Sequence, residues 1–125
     1  MNRRTFLAAS SSAIAFPYLT RAADEKLRVG VIGHTGRGNY GHGIDTVWMN
    51  VPDTEIVAVA DAHEGGLANA KKKLKISKGF SDYHTMLKEV RPDIVAVCPR
   101  HVDQHHDMAL AAIEAGAKGI YIEKP

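Results

Sequence analysis

The sequence predicts an α/β fold, a doubly wound parallel sheet with helices on both faces, and three observations carry that expectation. Four short apolar runs recur along the chain: "LRVGVI" (27–32), "EIVAVAD" (55–61), "DIVAVC" (93–98) and "GIYIE" (119–123). They are rich in β-branched residues and too continuously apolar for strands with one wet face, which suits a sheet covered on both sides. Segments of helical length separate them, and strand–helix repetition with short connections implies right-handed crossovers. Finally, a cluster of glycines leaves the first run directly, at the edge where such sheets collect ligands.

The elements follow in order from the N-terminus. "MNRRTFLAASSSAIAFPYLTRAAD" has the paired Arg3-Arg4, then Phe6-Leu7, a mildly apolar Ser/Ala-rich stretch to Leu19, and small residues at Ala22-Ala23. This is the pattern of an export signal peptide, expected over residues 1–22. Asn-Arg-Arg-Thr-Phe-Leu resembles the twin-arginine signature, which implies a periplasmic or otherwise exported protein carried across already folded. Ser10 to Ser12 and Pro17 interrupt the apolar part, which falls short of the ~20 residues a spanning helix needs, so no stable membrane anchor is expected. Residues 23–125 are then the folded part, one domain in size and short for an enzyme with both a cofactor fold and a substrate domain.

Removal of the leader takes Arg3, Arg4 and Arg21 from the 16 basic residues and leaves 13 against 14 acidic ones, a net charge near −1. Nothing in that balance supports nucleic-acid binding. "KKKLK" (71–75) reads as a solvated helix face. Cys98 stands alone, so no internal disulfide can form, and its apolar run makes it a buried small residue.

Helices are expected over Tyr40 to Asn50, Gly65 to Leu74, Asp82 to Val90 and Val102 to Ala115. Ser81 is the expected N-cap of the third, Pro92 ends it, and Gly116 ends the fourth. "GRGNYG" (36–41) is literally GxGxxG, but that motif needs its first glycine at the strand exit. Gly33 holds that place, and counting from it gives GxxGxG: Gly33 for the tight exit, Gly36 for close approach to a diphosphate, Gly38 for entry into a helix. Thr35 and Arg37 add a hydroxyl and a fork of donors suited to phosphate oxygens. The simpler reading is a bare tight turn.

Asp61 closes the second run 28 positions after Gly33, beyond the ~20 usual for a ribose-binding acid. A carboxylate there accepts from the adenosine ribose and repels a 2′-phosphate, favouring NAD over NADP; the alternative role is a helix cap. His101 and His105, four apart, lack a third metal ligand, and no metal is expected.

The closing Glu123-Lys124-Pro125, the helix end Glu114-Ala115-Gly116, and His105 eleven residues before that glycine together resemble the N-terminal domain of the Gfo/Idh/MocA oxidoreductases, over Leu27 to Pro125. The resemblance implies a Rossmann-type dinucleotide-binding domain with NAD across Gly33 to Gly38 and Asp61 at the adenosine ribose. It places Pro99, Arg100 and His105 by the nicotinamide half, with Glu123 and Lys124 reaching the nicotinamide ribose and substrate. Lys124 is the implied catalytic residue, stabilising a developing alkoxide during hydride exchange with a sugar or polyol.

Family members commonly have glycine in place of Thr35. The stretch after Pro99 is longer here, which leaves His101 and His106 as alternatives to His105. The family's C-terminal α+β domain is absent from this chain, so the fragment alone is expected to be inactive, and the full-length protein is expected to be a homo-oligomer. An NAD-dependent glycoside hydrolase of related fold and a non-catalytic dinucleotide-binding fragment are the alternatives.

Overall fold

The computed structural model describes residues 25–125, so the expected leader lies outside the described residues. Five parallel strands form one sheet in the order β3-β2-β1-β4-β5. They are β1 (Leu27–Ile32), β2 (Thr54–Ala60), β3 (Gly79–Phe80), β4 (Ile94–Val97) and β5 (Gly119–Ile122). Four coincide with the predicted runs to within two residues at either end. The two-residue β3 was not anticipated, being too short to show a periodicity.

Among the described residues three α-helices pack on this sheet: α1 (Glu64–Leu74), α2 (Tyr83–Val90) and α3 (His105–Glu114). A 3-10 turn at Val102–Gln104 leads into α3. Gly116, at φ +90, ends it as expected. The N-cap of α2 is Asp82 rather than Ser81, its Oδ1 accepting the His84 amide at 2.9 Å. Asp82→Ala is expected to cost about 1 kcal/mol in urea denaturation, and Ser81→Ala close to nothing.

The helix expected over Tyr40 to Asn50 does not form. Left-handed backbone at Asn39 (φ 53), Gly41 (φ 64) and Gly43 (φ 81) breaks any α-helical path. The segment instead runs as successive turns into a 3-10 turn at Val47–Asn50.

Two apolar layers cover the sheet. On one face Ile32, Ala58, Ala60, Val95 and Val97 pack with Met86, Leu87 and Val90 of α2 and Met108 and Ala112 of α3. On the other, Val29, Val31, Ile56, Val59 and Ala96 meet Ala70 and Leu74 of α1 and Ile44 of the turn segment. A bulge, at which the β1–β2 register skips Val57, lets Ile56 and Val59 share a face although three residues apart. Cys98 is fully buried, and burial pushes its thiol up. Trp48 lies edge-on to Tyr121 of β5, ring centres 5.6 Å apart, joining the turn segment to the sheet edge.

Candidate functional site

The carboxyl ends of the strands converge on a cleft of about 270 Å³ over β1, β2 and β3, with Gly33, His34, Asp61, Ala62, Tyr83 and Met108 in its wall. Beside it lies the glycine loop. His34 anchors the loop: its carbonyl accepts the amides of Arg37 (2.9 Å) and Asn39 (3.0 Å), and Gly36 donates to Asn39 Oδ1 at 3.0 Å. Among the described residues the amides of Gly38, Tyr40 and Gly41 have no acceptor.

The three glycines have duties that differ in part from those expected. Gly33 is glycine because the Tyr40 ring lies against it, where a Cβ would overlap the ring. Gly36, at φ +88, has nothing within 4 Å of a Cβ position and stands open to approach. Gly38 enters no helix, since none starts there. At φ +94 it packs on the strand end after β4, where a Cβ would lie 2.5 Å from the Arg100 amide nitrogen and 2.9 Å from that of His101. Its carbonyl accepts the Arg100 amide at 3.0 Å. The loop is thus seated across the crevice between β1 and β4, where the strand order reverses.

Asp61 is 1% exposed and holds this loop from below. Its Oδ2 accepts the Thr35 hydroxyl at 2.6 Å and the Tyr40 hydroxyl at 2.8 Å; Oδ1 accepts the amides of Thr35 (3.1 Å) and His63 (2.9 Å). Burial alone would raise its pKa, but these donors outweigh it and hold the carboxyl below the usual aspartate value. Burial, the bond to Asp61 and that carboxylate's charge push the Tyr40 phenol far up, so it stays a donor. All the carboxylate's acceptor positions are engaged inside the protein. Capping of α1 falls to His63, whose Nδ1 accepts the Gly66 amide at 2.9 Å.

Past the end of β4, Pro99 is buried, and Arg100 is exposed with its guanidinium 3.4 Å from the Gly41 carbonyl. Of the three candidate histidines, His105 alone turns onto the strand end, its Nε2 2.7 Å from the Pro99 carbonyl. His101 is exposed at the start of the 3-10 turn, and His106 pairs with Asp107 on the outside of α3.

Arg37 is drawn to Asp103 at 2.7 Å, an exposed pair worth little in stability, which leaves the guanidinium free to exchange partners. Lys124 is exposed. Glu123 is buried, and its Oε1 accepts the Lys124 amide at 2.9 Å.

Two further side chains hold the site from outside the glycine loop. His42 donates its amide and its ring to Glu123 Oε2, both at 2.6 Å. Lys73, expected on a solvated face, instead forms an ion pair with buried Asp45 at 2.5 Å and sits over the Tyr40 ring at 4.6 Å. Neither could be foreseen from spacing, because each partner lies far away in the chain.

Residues 27–125 match a family model described as oxidoreductase family, NAD-binding Rossmann fold (GFO_IDH_MocA). Myo-inositol 2-dehydrogenase of Thermotoga maritima is 30% identical over 99 residues, covering 79% of this chain and 28% of that protein. Glycosyl hydrolase family 109 protein 1 of Akkermansia muciniphila is 33% identical over 84 residues, 60% of this chain and 17% of that protein. Among solved structures, myo-inositol dehydrogenase from Lactobacillus casei, in complex with NAD(H) and myo-inositol, superposes with a TM-score of 0.64 at 26% identity. That match covers 80% of this chain and 29% of the other. The chain therefore spans under a third of the length of these relatives.

Proposed function

The chain belongs to the Gfo/Idh/MocA oxidoreductase family, and from that premise we propose that residues 23–125 are the NAD-binding domain of a dehydrogenase acting on a sugar or polyol. The observation that carries the reading is the glycine loop. It offers the unpaired amides of Gly38, Tyr40 and Gly41 at the crevice between β1 and β4, flanked by Arg37 and Arg100. That donor set suits a diphosphate, and the adjoining cleft has room for an adenosine.

Gly33, Thr35, Gly36, Arg37 and Gly38 would hold the diphosphate, and Asp61 the adenosine ribose. For Asp61 this requires an exchange, since ribose hydroxyls must replace those of Thr35 and Tyr40 on the same oxygens. Pro99, Arg100 and His105 would floor the nicotinamide half, with Glu123 behind them. When bound, nicotinamide supplies hydride exchange at its C4. The part of Lys124 would be electrostatic: its exposed ammonium would stabilise negative charge developing on a substrate hydroxyl oxygen.

The substrate class is carried over from the inositol dehydrogenase relatives. Turnover belongs to the complete protein, whose assembly from several copies is part of the same reading. Export by the twin-arginine route rests on Asn2 to Leu7 and would deliver the domain folded with NAD inside. The glycosyl hydrolase relative favours a second reading, an NAD-retaining glycosidase, tested with an aryl glycoside and no added oxidant.

Calorimetry tests the cofactor assignment directly. NAD is expected to bind, with NADP roughly tenfold weaker because Asp61 repels a 2′-phosphate. A folded chain giving no heat with either coenzyme would reject it.

A further inference from the structure

We propose that His42 is a positioning residue for Lys124: by gripping Glu123 it joins the glycine loop to the turn that carries the lysine, so that seating a dinucleotide on the loop sets the lysine's direction. This rests on the cofactor reading above and adds a residue to it.

The ground is the disposition of Glu123, 4% exposed at the end of β5. Its Oε2 takes two N–H groups from one residue, the amide and Nδ1 of His42, and its Oε1 takes the Lys124 amide. A buried carboxylate of this kind, with both oxygens used internally, is a bracket between two backbone segments. Burial would raise the Glu123 carboxyl, but the bonds from His42 and the Lys124 amide outweigh it and keep it low. An ionised carboxylate only accepts, so Nδ1 carries the proton, and charge-assisted bonds of this length are the strong class.

Gly41 makes the bracket possible. At φ +64 it brings the loop so close that a Cβ would overlap Glu123 Oε2 and lie 2.7 Å from the Cys98 carbonyl oxygen. The Arg100 guanidinium reaches the Gly41 carbonyl beside the bracket, and the Cys98 carbonyl lies against the same turn. On the far side of Lys124, Pro125 restricts the lysine's backbone. Held by its own amide and by the following proline, Lys124 moves with Glu123, and Glu123 with the loop.

The test starts without cofactor, so that failure of the coupling is not confused with failure of the cofactor reading. Carbon-13 NMR follows the Glu123 carboxyl and nitrogen-15 spectra follow the Lys124 amide in the whole chain, in His42→Ala and in His42→Asn, whose side-chain amide can donate where Nδ1 did. His42→Ala is expected to bind the Glu123 proton about tenfold more tightly, as burial takes over, and to displace the Lys124 amide resonance. His42→Asn should restore both.

NAD is then added. It should shift the Lys124 side-chain resonances in the wild type, and bind His42→Ala without doing so. Unaltered Glu123 titration and Lys124 resonances in His42→Ala, or no restoration by Asn in a chain with native circular dichroism, overturn the proposal. Intact coupling without cofactor in a wild type that takes up no NAD overturns the cofactor reading, and with it the dinucleotide's part in the proposal.

Discussion

Asp61→Ala is expected to lower the stability of the domain by about 3 kcal/mol and its melting temperature by about 15 °C, making it one of the most damaging single changes in the chain. The substitution leaves two hydroxyls and two amides, from Thr35, Tyr40 and His63, aimed at a site buried from water. Orphaned donors of that kind cost far more than the net worth of the bonds they once made. Tyr40→Phe removes one donor and keeps the ring on Gly33, so it should cost only about 1 kcal/mol. Urea denaturation measures both.

NAD affinity should fall with Asp61→Ala as well, since the acid organises the loop proposed to hold the diphosphate. The same carboxylate makes the fold acid-labile. Its pKa is lowered by folding, so its stabilisation is complete above the unfolded aspartate value and is lost as pH falls below about 4, through the folded value. Asp61→Ala should lack that component of the acid transition; an unchanged transition and an unchanged melting point would both contradict the role.

Gly38→Ala is expected to abolish measurable NAD binding and to cost about 3 kcal/mol of stability. Here two penalties coincide. The left-handed backbone at φ +94 strains any side chain, and the new Cβ meets main-chain nitrogens of Arg100 and His101, which cannot swing aside as a flexible side chain could. The loop can no longer seat on the end of β4, and the amides beside Gly38 lose their alignment.

Gly36→Ala is the contrast. It carries a similar backbone strain at φ +88 but no contact, so its stability cost should stay near 1 kcal/mol. On the proposed reading Gly36 faces the diphosphate, so this variant should lose affinity out of proportion to stability. Calorimetry and chemical denaturation on the pair separate a loop-seating glycine from a ligand-facing one; equal losses of affinity per unit of stability would deny the distinction.

The sheet was legible in the sequence because its strands are buried on both faces, and four β-branched runs survive any detail of packing. Asp61 was legible as a strand-end acid, yet its partners were not. Thr35 and Tyr40 are residue types that suit a phosphate site equally well, and only the fold of the loop turns their hydroxyls downward. Between Tyr40 and Asn50 the apolar residues Ile44, Val47 and Trp48 imitate helical spacing, while the backbone at Asn39, Gly41 and Gly43 takes another course. Of the seven histidines, the one that grips Glu123 stands 81 residues from it. No spacing rule reaches that far, because proximity there is made by the sheet order and not by the local chain.

Trp48 against Tyr121 gives the domain a built-in optical gauge. The indole is the protein's sole tryptophan; it rides on the segment that follows the glycine loop and rests on the strand that leads to Glu123 and Lys124. Its emission therefore reports whether those two parts of the molecule stay docked, with no label attached, in every variant described above.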